Sequence, residues 1–362
     1  MQIQAAVCHE FGAPLVVETL ALAPPGPGEV RVALKAAAIC HSDVSSLRGH
    51  WAGGVTPTVA GHEAAVIVES VGPGVDAVAT GDYVVVTLVR SCGNCRACRA
   101  GHTVACSGTT ALDRETRLHD ASGSPVQQGL RTAAFAQACV VHESQVVGID
   151  PGLPFVSAAL LGCGVITGYC SVTRVAQVGP GATVAVTGVG GLGLNTIQGA
   201  VLAGAETVVA IDVVTQKLEL ARAFGATHTI DARNEDPVAA VLGICEGGVD
   251  FAFVTVGMSR AFSDSMRMLN RTGKSVILGM PGDDDKDFVV DSHLLTTGRS
   301  VLGSKLGDTC THEDIPALAG LYREGRLKLD EIVSATYPLS AINDALDAAE
   351  RGESLRNVIV FD

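Results

Sequence analysis

The sequence predicts an α/β protein made of a β-rich first domain and a second domain with a doubly wound parallel sheet. Three observations carry that prediction. The first part of the chain is a series of short β-branched runs cut by Gly and Pro, apolar runs alternate with helix-like stretches from Ala182 onwards, and GVGGLG stands at the first of those junctions. Size and composition agree. The 362 residues suffice for two ordinary domains, and 47% hydrophobic against 17% charged residues describes a well-buried globular chain.

The β-rich part runs to about Gly162 and contains EVRVALKAAAI, AAVIVESVG, DYVVVTLV and QACVVHE, which read as antiparallel strands. The alternating part opens with the strand TVAVT, the turn GVGGLG, the helix-like LNTIQGAVLAGA and the apolar run TVVAID. Then come a helix around Gln216 to Phe224, the strand HTI, a helix through Val238 to Cys245, the strand VDFAFVTV, a helix around Arg260 to Leu269 and the strand KSVILG. Segments of that length imply right-handed crossovers and a sheet covered on both faces. After about Ser304 the chain turns helical and closes with the strand VIVF, expected back in the first domain. The expected divisions are 1–164, 165–304 and 305–362.

A formal charge of −13 and the lack of any Lys/Arg run argue against nucleic acid or an anionic membrane as a standing partner. A small or neutral ligand fits better. The N-terminal MQIQAAVCHEFG has no signal-peptide pattern and no apolar stretch reaches about 20 residues, so a cytoplasmic location is expected. Thiols stay reduced there, and an odd total of eleven cysteines reads as metal ligands plus buried thiols.

A lone GxGxxG is a weak signal, but Gly188, Gly190, Gly191 and Gly193 lie directly between a strand and a helix. Gly188 can make the tight turn, Gly190 lets the backbone approach a pyrophosphate, and Gly193 allows helix to pack closely on strand. Asp212 ends the next strand, where its carboxylate can accept from an adenosine ribose and would repel a 2′-phosphate. Val213 and Val214 offer no Arg to hold such a phosphate, which favours NAD over NADP. A Gly-rich turn with a capping Asp and no ligand is the bland alternative.

Cys92, Cys95, Cys98 and Cys106 stand at C-x2-C-x2-C-x7-C. Four thiolates at short spacing can close a tetrahedron around zinc and leave no position for substrate, so this metal is expected to be structural. An iron–sulfur cluster competes, but such runs usually place Pro after the last Cys, and here Ser107 follows. Arg96, Arg99 and His102 make the stretch a polar loop, which speaks against four unligated core thiols. A second constellation joins Cys40 of CHSD, His62 of GHE and Cys163 of LGCGVITG. Singly each is weak. Together with a nucleotide site they supply two thiolates and one imidazole and leave a fourth position open, as in a catalytic zinc.

With these elements in order, the chain resembles the zinc-dependent alcohol dehydrogenases of the medium-chain dehydrogenase/reductase superfamily, its liver-type or class III-like branch, over essentially its whole length. CHSD, GHE, the four-cysteine lobe, the Gly-rich turn with its Asp and the ending SLRNVIVF carry the resemblance. It implies a GroES-like β-barrel catalytic domain plus a Rossmann domain, with the substrate between them. By the resemblance Cys40, His62 and Cys163 bind the catalytic zinc, and Cys92, Cys95, Cys98 and Cys106 the structural zinc, two per chain. Ser42 matches the hydroxyl that takes the alcohol proton, Asp43 the carboxylate that orients His62, and Glu63 the acid behind the zinc. His41 and Arg356 match groups near the cofactor pyrophosphate, and Lys217 a lysine near the adenosine ribose. Trp51 and Leu88 match positions lining the substrate pocket. With Ser42 in place of a bulkier Thr, they point to a fairly large apolar or aromatic primary alcohol.

One departure bears on mechanism. Liver-type members end the proton relay with a histidine where this chain has Ser45, too weak a base for that task near neutral pH. The proton is then expected to leave from Ser42 through the cofactor ribose to water, or to His41 or His50. The polar segment ALDRETRLHDASGSPVQQGL favours the longer branch and a homodimer. Cys8, Cys139, Cys170, Cys245 and Cys310 read as buried thiols. The reading is reversible NAD-linked oxidation of an alcohol to an aldehyde. Its rivals are a glutathione-dependent formaldehyde dehydrogenase, a nicotinoprotein that keeps its NAD, and a non-enzymatic NAD-binding structural or sensing protein.

Overall fold

The computed structural model of the protein describes residues 1–352 and 354–362. They fall into two compact units, one comprising Met1–Gly164 with Cys310–Asp362 and the other Val165–Thr309.

In the first unit the strand Glu29–Ala38 organises the site. Val30, Val32 and Leu34 point into the core while Arg31, Ala33 and Lys35 are half-buried, the alternation of a sheet with one wet face. Its last three residues, Ala36, Ala37 and Ala38, are all buried. Neighbouring strands close on this small-residue end. Glu63–Val71 pairs antiparallel with Glu63 opposite Ala38, and Arg356–Val360 pairs antiparallel with Val358 opposite Ala38. The amide of Ile39 donates to the Asn357 carbonyl (2.8 Å), which extends that pairing towards Cys40. The start of Glu63–Val71, the exit of Glu29–Ala38 and the start of Arg356–Val360 therefore meet. Beside this sheet, Gln2–Cys8, Val16–Leu22, Leu118–His119, Pro125–Gln128 and Thr58–Val59 close a small barrel.

The second unit is a six-stranded sheet with every pairing parallel, in the order His228–Asp231, Thr207–Asp212, Thr183–Thr187, Val249–Val254, Leu269–Ile277, Ser300–Gly303. This is the doubly wound Rossmann order. The order in which strands are added reverses between Thr183–Thr187 and Val249–Val254, and ligands bind outside the carboxyl ends of strands at such a point.

Several elements differ from the sequence reading. The helix after the Gly-rich turn starts at Gly191, because Gly190 caps it. The strand read as KSVILG runs instead from Leu269 to Ile277, its polar residues Asn270, Arg271 and Thr272 having hidden its start. Val333–Pro338 is a strand inside the tail read as helical. It lies at a sheet edge, alternates half-buried with exposed residues, and so has no apolar run to betray it. The polar segment after Cys106 is not a plain loop, since Leu118–His119 and Pro125–Gln128 are barrel strands. No single helix among the described residues is long and apolar enough to cross a membrane.

Candidate active site

Cys40 caps the helix His41–Leu47, and Asp43, on its first turn, folds back so that Oδ2 accepts from the Cys40 amide (3.0 Å). Asp43 Oδ1 accepts from the Gly61 amide and from His62 Nδ1, both at 3.0 Å. One fully buried carboxylate thus ties together two segments of the chain. Because Nδ1–H points at Asp43, the lone pair of His62 lies on Nε2, on the far side of the ring. Cys163 follows the helical turn Leu160–Gly162 and precedes the helix Gly164–Cys170. A Cβ at its neighbour Gly164 would run into the guanidinium of Arg356, which would have to move.

The ligand atoms of Cys40, His62, Glu63 and Cys163 lie within 4.8 Å of one another. Among the described residues His62 Nε2 and both Glu63 carboxylate oxygens are buried with no hydrogen-bond partner, and such orphaned polar atoms are costly unless something else engages them. Two thiols and one imidazole are also the soft-to-intermediate donors that zinc takes. The residues present fit the metal.

These buried groups also act strongly on one another's charge. Hydrogen bonding from Cys163 lowers the Cys40 thiol well below its usual range, with Arg356 and His62 adding to this against burial, while Cys163 is held well above its range. Burial opposes a charged His62, yet Asp43 outweighs it and holds the imidazole well above its normal range. Glu63 is pushed up to about 8 by burial, partly offset by Arg356, whose Nη2 lies 3.6 Å from Glu63 Oε1.

The second cluster unites Cys92, Cys95, Cys98 and Cys106, all half-buried, with ligand atoms inside the same limit. Backbone amides of Cys92 and Gly108 point at Cys106 Sγ (both 3.3 Å), and the Cys98 amide points at Cys95 Sγ (3.5 Å). Amides of Cys98 and Ser107 pull the Cys95 thiol down to about 5. Four protein ligands surrounded by amide donors make a closed, structural type of site.

In the second unit Gly188 adopts φ +91°, a left-handed conformation that favours glycine. A Cβ at Gly193 would collide with the Gly188 carbonyl oxygen, so helix and turn pack as close as the fingerprint requires, whereas Gly190 has open space. Asp212 Oδ2 accepts from Val189 N (2.6 Å), and Oδ1 from Val213 N (2.8 Å) and Val214 N (2.9 Å), which fixes the acid against the turn. Thr255, which the sequence reading missed, donates from Oγ1 to the Gly188 carbonyl (2.8 Å). Its signal was its place after VDFAFV, the strand across the switch point.

Other sequence-singled residues sit as follows. Ser42 is half-buried on the first turn after Cys40, and His41 beside it is exposed. Ser45 is buried, and its carbonyl accepts the amide of exposed His50 (2.9 Å). Both histidines lie within electrostatic reach of Glu350, whose carboxyl is held low first by a hydrogen bond from Arg48. Trp51 and Leu88 are half-buried, as is Lys217 in the helix Thr215–Ala223. Arg356 is 8% exposed. It lies against Glu63, while its role near a pyrophosphate remains what the resemblance implies. Cys8, Cys139, Cys170 and Cys245 are buried thiols, and Cys310 is only half-buried.

A buried cluster of two thiols, an imidazole and a carboxylate, in a chain that also carries a dinucleotide turn, is the make-up of a metal-dependent dehydrogenase. Residues 26–151 match the alcohol dehydrogenase GroES-like domain, and residues 191–324 match the zinc-binding dehydrogenase family. The chain is 37% identical to alcohol dehydrogenase B of Mycobacterium tuberculosis, across 100% of this chain and 99% of the relative. It is 34% identical to S-(hydroxymethyl)glutathione dehydrogenase of Saccharomyces cerevisiae, across 99% and 96%. It superposes on benzyl alcohol dehydrogenase from Acinetobacter calcoaceticus with a TM-score of 0.92 at 30% identity, each chain covered completely. The protein belongs to the zinc-type alcohol dehydrogenases of the medium-chain dehydrogenase/reductase superfamily and is an oxidoreductase.

Proposed function

We propose that the protein oxidises a primary alcohol with an apolar or aromatic body to its aldehyde, reversibly, with NAD. The observation that carries this reading is the cluster of Cys40, His62 and Cys163, where a buried imidazole nitrogen has no hydrogen-bond partner among the described residues and a carboxylate fixes the opposite nitrogen. When bound there, zinc supplies a Lewis acid that lowers the pKa of an alcohol hydroxyl, and NAD supplies the hydride acceptor.

The chain's own residues do the rest. Cys40 and Cys163 offer thiolate sulfur, and Asp43 holds the Nδ1 proton of His62 so that Nε2 stays free as a ligand. Ser42, two residues from Cys40 on the same turn, is the candidate to receive the hydroxyl proton. Buried Ser45 cannot be the final acceptor, so exposed His41, exposed His50 or water completes the exit. Glu63 and the Arg356 guanidinium, 3.6 Å apart, lie beside the ligands. Gly188 to Gly193 receive the pyrophosphate, with His41 and Arg356 as further candidate contacts to it and Lys217 as a candidate contact to the adenosine ribose. Asp212 receives the ribose, and Trp51 with Leu88 shapes the alcohol pocket.

The likeness to benzyl alcohol dehydrogenase supports an aromatic substrate, and the likeness to S-(hydroxymethyl)glutathione dehydrogenase supports a glutathione adduct as the second reading. A homodimer in the cytoplasm completes the proposal. Strand Ser300–Gly303 is an open sheet edge of the kind a second copy can extend, and none of the eleven cysteines is joined in a disulfide among the described residues. The test is zinc and nucleotide content followed by NAD reduction with aliphatic alcohols, benzyl alcohol and S-(hydroxymethyl)glutathione. Two zincs and turnover of benzyl alcohol with free NAD support the reading. Turnover of the glutathione adduct alone transfers the assignment to the second, and bound NAD that turns over only with an added acceptor makes the protein a nicotinoprotein.

A further inference from the structure

Two residues before the four-cysteine lobe, Arg90 is 4% exposed, a rare position for a guanidinium. Its donors are engaged on three sides. Nε donates to Gln145 Oε1 (2.9 Å), Nη1 to Asp113 Oδ1 (3.1 Å) and Nη2 to the carbonyl of Arg131 (2.7 Å). The fully buried Gln145 reinforces the same point, donating from Nε2 to the Arg131 carbonyl (3.1 Å) and to the Thr87 carbonyl (3.0 Å). The carbonyl that receives both donors belongs to an unusual run: Leu130, Arg131 and Ala133 have φ of 48°, 65° and 64°. None is glycine, Asn or Asp. Such a backbone persists where its surroundings over-determine it, and it clusters at functional sites.

What this run touches gives it a purpose. The amide of Ala134 donates to the Gly61 carbonyl (3.0 Å) and the amide of Phe135 to the Ala60 carbonyl (2.9 Å). The contact is close enough that Gly61, at φ +93°, could carry no Cβ without meeting Phe135 N at 2.7 Å. The Gly61 carbonyl belongs to the peptide that joins Gly61 to His62, while the Gly61 amide is held by Asp43. His62 is therefore fixed by Asp43 through its ring and, through its backbone, by a segment whose shape depends on Arg90.

We propose that Arg90 is a positioning residue for His62: its buried guanidinium locks the left-handed run Leu130 to Ala133, and that run sets the Gly61–His62 peptide. The four-cysteine lobe, entered two residues after Arg90, is thereby linked mechanically to the other metal site. The inference rests on Cys40, His62 and Cys163 being that site.

The test follows release of zinc from the full-length holoprotein to a chromophoric chelator, with the phase from the three-residue site identified by its loss in His62→Asn. In Arg90→Gln that phase accelerates by about tenfold, the lower end of what loss of a group supporting a ligand costs in metal affinity, while the four-cysteine phase keeps its rate. Arg90→Lys, which keeps the charge but not the three-way geometry, accelerates it as well. Acceleration of the four-cysteine phase alone, of both phases equally, or of neither would assign Arg90 to general stability and overturn the proposal. If Arg90→Gln does not fold, Asp113→Asn removes one of the three partners and is judged by the same two phases. A parent protein with a single phase that His62→Asn leaves unchanged overturns the site itself; two phases in the parent with no selective change in the variants overturns only the role of Arg90.

Discussion

Replacing Asp43 by Asn separates the orienting of His62 from ordinary helix capping. The carboxylate is fully buried and accepts three hydrogen bonds, from Cys40 N, Gly61 N and His62 Nδ1. An Asn amide keeps one acceptor and turns an NH2 towards either the Cys40 amide or the Gly61 and His62 donors. At least one buried donor then faces a donor, at about 1–3 kcal/mol, and the surviving bonds lose their charge, for a total near 2–4 kcal/mol of stability. Asp43→Ala loses all three and approaches the whole of a typical domain's margin of about 5–15 kcal/mol, so Asn is the usable variant. If Asp43 sets the tautomer of His62, zinc affinity at the three-residue site falls by about 10–100-fold, with tenfold corresponding to about 1.4 kcal/mol. Competitive zinc titration reads this with the four-cysteine site as internal control, and urea unfolding reads the stability loss. A variant that unfolds earlier yet binds both zincs as tightly as the parent would show that Asp43 is a cap and nothing more.

Other substitutions probe close approaches and charge. Gly164→Ala drives a Cβ into the Arg356 guanidinium and lowers stability by about 1–3 kcal/mol in a denaturant melt. Gly243→Ala, in open space within the helix Pro237–Ile244, is the matched control and gains about 0.5–1 kcal/mol. Gly193→Ala collides with the Gly188 carbonyl and abolishes NAD binding by calorimetry while zinc content stays at the parent value. Asp250 is opposed by burial, but donors from Thr183 and Asn270 hold its carboxyl below the ordinary range. A depressed folded pKa adds stability that is present above the unfolded value near 3.8 and is lost as pH falls towards the folded one. Asp250→Asn therefore flattens the fall of melting temperature on the acid side of that value and leaves the slope between pH 6 and 8 unchanged.

Much of the architecture was legible because the chemistry demanded local sequence signals. The strand TVAVT, the turn of Gly188 to Gly193 and the acid Asp212 are contiguous and fix a βαβ unit by themselves. The four cysteines announce a four-ligand cluster through their spacing, and Ser107 after the last of them favours zinc over an iron–sulfur cluster. Elements whose stability comes from neighbours were hidden. Val333–Pro338 has no apolar run because only one edge and one face of it are covered. The two-residue strands of the barrel are too short for any period to show. Arg90 was invisible for the opposite reason: in sequence it is one more cation at the edge of a polar lobe, and only the fold shows it buried against Gln145, Asp113 and the Arg131 carbonyl.

The convergence of Cys40, His62 and Arg356, far apart in sequence, follows from strand register. Ala38 is opposite Glu63 on one side and Val358 on the other. Two residues past Ala38 is Cys40, one before Glu63 is His62, and two before Val358 is Arg356. Antiparallel pairing sends one strand forward where its neighbours run back, so these three positions are brought to the same end of the sheet. A one-residue slip would reverse the face of each side chain, and the alternation of Val30, Val32 and Leu34 against Arg31 and Lys35 prevents it by burying the first set and leaving the second half-exposed. The apolar pattern of Glu29–Ala38 is therefore as much a determinant of the metal site as the ligands themselves. An apolar-to-polar exchange at Val32 or Leu34 is expected to disturb Cys40 before it disturbs any residue of the four-cysteine lobe.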